Sequence, residues 1–346
     1  MQKVIGFGFM RSLAAAVIGA FVALAPAAAR AEPVKIRISW VAIVSNIPSI
    51  LFLKPGIARH DGQSYVLEPL HFANTPLMVP ALATGEIDIA TLSYSAFALA
   101  IQNAKLDDLR VIADEFQDGV EGYYSNEIMV LKDSPIRTIE DLKGKTLSSN
   151  GPGGAVDMAL RAMLRRHGLE DKRDVTIIEV PLPNERAMLA ERKVDVITSA
   201  TPFSQDPELR RIARTLFTQR DAIGTTQMIV WAARAGFLAK NRAALVDFLE
   251  DTIRARRYYT DPANHAEIVA LAAQFSKQPV DKYASWLFTK SGDYYRDPDA
   301  KPDLVALQRN VETQHELGFL NTTIDVASFT DLGLVTEAAA RVNAGK

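Results

Sequence analysis

Short apolar runs separated by polar breaks recur along this chain. The stretch VKIRISW alternates apolar and polar positions and opens into VAIVSNIPSILFL. That pattern predicts a buried strand, a polar break at Ser45 and Asn46, and a helix running toward Phe52. SYVLEPLHF reads as a second strand. NTPLMVPALATGEIDIATLSYSAFALAIQNA follows with a helix, a glycine stop at Gly85, a short strand over 87–91 and a helix starting within 93–96. LRVIADEF supplies another strand. The rhythm then restarts: NEIMVLKDSPIRTIEDLKGKTLSSN predicts a strand, a short helix over 139–142, a glycine turn and a strand over 146–149. Residues 154–166 form a predicted helix with Val156, Leu160, Met163 and Leu164 on one face. DVTIIEVPLPNERAMLAERKVDVITSATPF repeats strand, break, helix and strand. After one more strand in TTQMIVWAAR the chain reads as mainly helical to 340, with breaks at 261–262, 291–302 and 318–325.

Strands alternating with helices in this way imply an α/β fold, with parallel sheets covered by helices on both faces. The two halves echo each other, since ALATGEIDIATLS and MLAERKVDVITSA each end a helix, pass an acid (Asp88, Asp195) and end a strand in Ser or Thr. In open parallel sheets ligands lie beyond the carboxyl ends of strands. The polar residues falling there are Ser39, Trp40, Ser45, Asn46, Asn74, Thr75 and 93–95 in the first half. In the second half they are 149–151, Asn184 after Pro183, Ser199 and Thr201. A cleft between two such units uses both sets, and the helical tail is expected to pack back on the first.

Composition narrows the class. The chain has 346 residues, 48% of them hydrophobic, enough for a large core and two domains. Its first thirty residues carry Lys3 and Arg11 ahead of SLAAAVIGAFVALAPAAARAEP, the plan of a secretory signal peptide cleaved after Ala31, which predicts a periplasmic protein. The apolar run over 13–25 is shorter than the ~20 residues a membrane span needs. Loss of Lys3, Arg11 and Arg30 from 39 bases against 41 acids leaves a net charge of -5, which argues against a nucleic-acid partner. There is no cysteine, so disulfides, a lipidated cysteine and a cysteine nucleophile are excluded.

Chemistry is sparse. The turn over 148–154 in LKGKTLSSNGPGGAVDMALRAML suggests an anion-binding helix start, although it closes with Gly154, Ala155 and Val156 where a phosphate loop needs Lys and Ser or Thr. A plain strand-to-helix connection is the alternative. The five histidines have no metal-ligand spacing, and there is no GxSxG nucleophile elbow. The acidic run DEFQDGVEGYYSNE reads either as a solvated connection or as a cleft mouth favouring cationic or zwitterionic ligands. Trp40 reads either as a ligand platform or as a core or lid residue.

Three segments carry a family resemblance: TGEIDIATLSYSAF, IMVLKDSPIRTIEDLKGKTLSSNGPGG and YYRDPDAKPDLVALQRNVETQHELGFLNTTIDVASFTD. Together they resemble the substrate-binding components of ABC importers for nitrate, sulfonates and taurine, a group that includes thiamine-pyrimidine precursor binders. The likeness spans 34 to about 340. It implies a type II periplasmic binding protein fold, with two α/β lobes joined by two crossover strands. Lobe 1 would comprise 32–123 and 232–346, and lobe 2 would comprise 124–231. It further implies a monomer without cofactor, metal or catalytic residues that closes on a small molecule and presents it to an inner-membrane permease with its ATPase. The implied contacts are Trp40, Ser45, Asn46, Asn74, Thr75, Ser93, Tyr94, Ser95, Ser149, Asn150, Gly151, Gly153, Gly154, Asn184 and Thr201. Ser93-Tyr94-Ser95 stands where sulfonate binders carry a glycine-aspartate type turn, which shifts the expected ligand from nitrate to a small organic molecule. That molecule would carry a sulfonate or carboxylate with an amine or ring. On this basis Gly153→Val and Asn150→Leu are expected to weaken binding at least about tenfold and to leave the unliganded melting curve intact. Two other readings stand beside this one. One is a pyrimidine-precursor synthase on the same scaffold, which would need a histidine and a cysteine-rich segment that this chain lacks. The other is a ligand sensor that signals to a membrane receptor.

Overall fold

The computed structural model describes residues 32–345. The expected signal peptide and its cleavage point lie outside the described residues. Among those residues no helix is long and apolar enough to cross a membrane.

The first unit runs β1 (Val34–Trp40), α1 (Ile47–Ile50), β2 (Tyr65–His71), α2 (Met78–Thr84), β3 (Ile89–Ser93), α3 (Tyr94–Ala104) and β4 (Leu109–Asp118). Gly85 ends α2 in the left-handed conformation at φ 75°, as its place in the pattern predicts. The strand expected over 87–91 begins at Ile89, and Asp88 just before it is tied to β1. Its carboxylate accepts from the Arg37 backbone N–H at 2.9 Å and from the Arg37 guanidinium at 2.7 and 2.8 Å. Ser93 then caps α3, its hydroxyl accepting from Ala96 N at 3.1 Å.

The second unit runs β5 (Glu127–Leu131), β6 (Thr146–Ser149), α4 (Ala155–Arg166), β7 (Thr176–Glu179), α5 (Leu182–Ala190), β8 (Val196–Ser199), α6 (Pro207–Ile212), β9 (Ala213–Thr218) and α7 (Gln219–Ile223). The sequence echo has a structural cause. Asp195 accepts from Thr146 N at 2.9 Å, as Asp88 does from Arg37 N, so each acid ties the start of one strand (β3, β8) to its parallel neighbour (β1, β6). The chain closes with β10 (Thr226–Arg234), α8 (Ala235–Lys240), α9 (Arg242–Thr260), α10 (His265–Ser276), α11 (Asp281–Ala284), α12 (Leu304–Glu316) and α13 (Gly333–Ala344).

Two five-stranded sheets result, ordered β2-β1-β3-β10-β4 and β7-β6-β8-β5-β9. They are mixed, not wholly parallel as the alternation of elements suggested. β10 runs antiparallel to β3 and β4, and β5 runs antiparallel to β8 and β9. A strand arriving from the other lobe enters at the carboxyl edge of the sheet, so it must run against the strands already there. This is the two-lobed architecture with crossover strands that defines the type II periplasmic binding fold.

The return to the first lobe comes earlier than the sequence suggested. The expected boundary at 231/232 cuts β10, yet β10 pairs from Thr226 onward with β4, so all of it belongs to the first sheet. The crossings occupy the connections between β4 and β5 and between β9 and β10. Asp118 fastens the first, accepting from Ser125 Oγ and Asn126 N at 2.7 Å each.

Ile36 and Ile38 of β1, Ile89 and Trp231 pack under α9 and α13 on one face of the first sheet. On its other face α2, α3 and α12 form a core that continues without a break into β5, β6, β8 and α4 of the second lobe. The tail therefore packs on the first lobe, and the two lobes meet through apolar surface.

Candidate functional site

The carboxyl ends of both sheets converge on one cavity. The first lobe supplies Val41, Ala42, Ser45 and Asn46 after β1, Asn74 and Thr75 after β2, and Ser93 at the end of β3. The second supplies Asn150 and 154–156 after β6, Leu182 after β7, and Ala200 and Thr201 after β8. Its floor consists of Phe116 on β4, Met228 and Ile229 on β10, and Tyr294 from the tail. The space open to the centre of a water-sized sphere is about 70 Å³, room for a handful of waters or a small organic molecule.

The polar walls are built by local chain geometry. Asn46 turns its carbonyl oxygen back on the loop after β1, accepting from Val41 N at 3.0 Å and Ala42 N at 2.7 Å. Its amide donates to Glu115 at 2.7 Å. Thr75, Ser93 and Ser95 form a hydroxyl chain with 2.9 and 3.0 Å links. Around the cavity, polar contacts cross from lobe to lobe. Ser45 and Thr201 hydroxyls meet at 2.7 Å, Tyr94 Oη donates to Ala155 O at 3.1 Å, and the Asn74 amide approaches Asn150 O at 3.5 Å and Glu179 at 3.4 Å. At the far end of α4 the Arg165 guanidinium lies 3.9 Å over the Phe319 ring of the tail and bonds Leu317 O.

Of the residues expected from sequence, Ser45, Asn46, Asn74, Thr75, Ser93, Asn150, Gly154 and Thr201 come together around this cavity. The others stand outside its lining. Trp40 packs on His71, its partner in the register of β1 with β2, at 4.6 Å between ring centroids. Tyr94 is buried beneath the wall and spends its hydroxyl on Ala155 O. Ser95 serves the hydroxyl chain, and Ser149 Oγ lies 3.4 Å from Gly151 N inside the turn. Asn184 is exposed because α5 starts at Leu182, which turns its own apolar side chain to the cavity instead.

The glycine turn differs from a bare anion nest. Gly153 N–H donates to Asp157 Oδ2 at 2.9 Å and Gly154 N–H to Gly151 O at 3.0 Å, so neither is free for a ligand. Gly153 holds φ +82° and Gly151 stands against Asn74, so these two glycines serve backbone geometry and lobe contact.

The acidic run does not form a charged cleft mouth. Asp114 is fully buried against Arg256, and Glu127 pairs with Arg210. Burial pushes Glu115 up to about 7, against the pull of hydrogen bonds from Asn46, Trp231 and Ile47 N. Burial likewise lifts Asp118 to about 7. Both carboxyls hold the hinge from behind the lining. Sequence reasoning missed Phe116, Met228, Ile229 and Tyr294. Phe116 and Tyr294 stack at 4.3 Å with 14° between their planes, and Tyr294 Oη donates to Asn126 at 2.6 Å beside the crossing. Only the placement of the first crossover strand hinted at Phe116, and Tyr294 opens the family-like segment YYRDPDAK without a pattern that marks it as a lining residue.

A two-lobed scaffold closing over a cavity at its strand ends is the plan of solute-binding proteins, and the comparisons agree. The chain matches the family model described as NMT1-like over residues 29–273 and belongs to that family. A nitrate/nitrite binding protein of Synechococcus elongatus is 25% identical over 168 residues, which is 46% of this chain and 37% of that protein. The match thus spans well under half the length of that curated relative. Among solved structures, the alkanesulfonate-binding protein of Xanthomonas axonopodis pv. citri, bound to MOPS, superposes with TM-score 0.68 at 19% identity, covering 87% of this chain and 99% of that one. The periplasmic nitrate-binding protein of Synechocystis PCC 6803 gives TM-score 0.71 at 16% identity, covering 90% and 89%. These structures share the fold.

Proposed function

We propose that this chain is the exported solute-binding component of an ABC importer. It captures a small organic molecule between its lobes in the periplasm and hands it to an inner-membrane permease with its ATPase. The observation that carries this reading is the cavity itself, walled by strand-end loops of both sheets and crossed by few lobe-to-lobe hydrogen bonds, which a hinge can break and remake. Binding without bond chemistry fits the lining, whose nearest hydroxyl pair, Ser45 with Thr201, has no histidine or carboxylate on either oxygen. A ligand preferring the closed form pulls the lobes together by its differential affinity alone.

The test is a thermal-shift screen over taurine, alkanesulfonates, aromatic carboxylates, their neutral carboxamide and sulfonamide counterparts, pyrimidines and nitrate, followed by small-angle scattering of any hit. A ligand that raises the melting midpoint and compacts the chain supports solute capture. Stabilisation by none of them would sink it. Stimulation of a permease ATPase by the liganded chain separates an importer from a sensor that addresses a receptor.

A further inference from the structure

Resting on the reading of this cavity as a solute site, we propose that its ligand is uncharged, and that Asn150 is the side chain that selects it. Three observations carry this.

Among the described residues, the lining contains no Asp, Glu, Lys, Arg or His. Its one ionisable group is the Tyr294 phenol, which burial holds well above its ordinary range and therefore neutral. Enclosing a net charge without a counter-charge costs several kcal/mol per ion, which closure of the lobes would have to overcome. One buried ion pair stands behind the wall. Arg296 lies 2.9 Å from Asp293 and donates to Ser45 O at 2.9 Å.

The helix start that could have held an anion already carries an acid in its first turn. Asp157, 1% exposed in the first turn of α4, takes Gly153 N–H at 2.9 Å and Arg161 Nε at 2.9 Å, and its second oxygen is buried without a partner. A carboxylate there satisfies the positive helix end and repels a second anion. The N–H groups of Ala155 and Val156 remain as neutral donors.

Asn150 is the unspent polar side chain. Ser45 is bonded to Thr201, Asn46 to its loop and Glu115, Asn74 to Leu77 N, Thr75 to Ser93, and Tyr294 to Asn126. The carboxamide of Asn150 has no hydrogen bond among the described residues, only its backbone oxygen being used, by Asn74. It offers one acceptor and two donors side by side. Its complement is a neutral group with adjacent donor and acceptor, such as a carboxamide, sulfonamide or lactam edge, on a compact apolar body. Phe116, Met228, Ile229 and Leu182 supply the surface for that body.

The test uses matched probes on the full exported chain: nicotinamide against nicotinate, benzenesulfonamide against benzenesulfonate, and benzylamine as the cation. Calorimetry and thermal shift at pH 7 are expected to favour the neutral member of each pair by at least about tenfold. Asn150→Ala should remove that preference and leave the unliganded midpoint unchanged, and Asn150→Asp should shift binding toward benzylamine. Equal or tighter binding of nicotinate or benzenesulfonate, with compaction in scattering, overturns the ligand class and leaves solute capture standing. Wild-type selectivity retained in Asn150→Ala overturns the role of Asn150. No response to any probe overturns both the ligand class and the cavity reading.

Discussion

Gly151 of the second lobe lies so close to Asn74 of the first that a β-carbon on Gly151 would fall 2.7 Å from Asn74 Cγ. This contact exists only when the lobes are together, and Gly151 is not among the glycines in the left-handed conformation. Alanine there is therefore compatible with each lobe alone but not with their closure. Gly151→Ala is expected to leave the unliganded midpoint nearly unchanged, enlarge the radius of gyration and weaken ligand binding at least about tenfold. Unchanged scattering and affinity would show that Asn74 yields without cost.

Ser45 and Thr201 form a 2.7 Å cross-lobe hydrogen bond at the cavity. A neutral pair of this kind contributes about 0.5–1.5 kcal/mol net. Ser45→Ala and Thr201→Val should each reduce affinity a few-fold, and the double variant should cost less than the sum. A double-mutant cycle by calorimetry reads the coupling directly, and full additivity would argue that the hydroxyls act independently.

Gly153 behaves differently from the expectation drawn from sequence. It holds φ +82°, which strains any side chain whether or not ligand is present, and the 3.0 Å from a β-carbon there to Leu99 Cδ1 of the first lobe adds to this when the lobes are together. Gly153→Val should thus lower unliganded stability by about 1–3 kcal/mol, visible as an earlier urea midpoint. A melting curve identical to wild type would contradict the left-handed assignment.

Glu185 sets a pH dependence. It is buried, its Oε1 accepting from Ser148 at 3.0 Å and Thr198 at 2.8 Å, and burial pushes it up to about 8 from an ordinary 4.5. The folded chain holds this proton where the unfolded chain has lost it. Its contribution is full below about pH 4.5 and disappears as pH rises through about 8. Glu115 and Asp118, lifted to about 7, act in the same direction. The midpoint should fall between about pH 5 and about pH 8, and Glu185→Gln should flatten the upper part of that fall. A Gln variant with the wild-type slope would remove Glu185 from the account.

What was legible in the sequence follows from local rules. Apolar periodicity located β6 and α4, the acid-before-strand echo anticipated Asp88 and Asp195, and the strand-end rule brought out Ser45, Asn46, Asn74, Thr75, Ser93, Asn150 and Thr201. What failed depended on pairing between distant segments. β10 inserts between β3 and β4 from more than a hundred residues away, and this places Met228 and Ile229 in the floor and moves the lobe boundary. Trp40 and Tyr94 are expected at the ligand because they stand at strand ends, yet a register neighbour and the opposite lobe claim them.

The interrupted first lobe also sets an order of assembly. A chain emerging amino end first presents all five strands of the second sheet once residue 218 is out, so that sheet can pair without waiting. The first sheet cannot. Until β10 arrives, β3 and β4 each carry an unpaired edge, the kind of surface that recruits other chains. The domain begun first is completed last, and the interval between is when the chain's open strand edges are most exposed to wrong pairing.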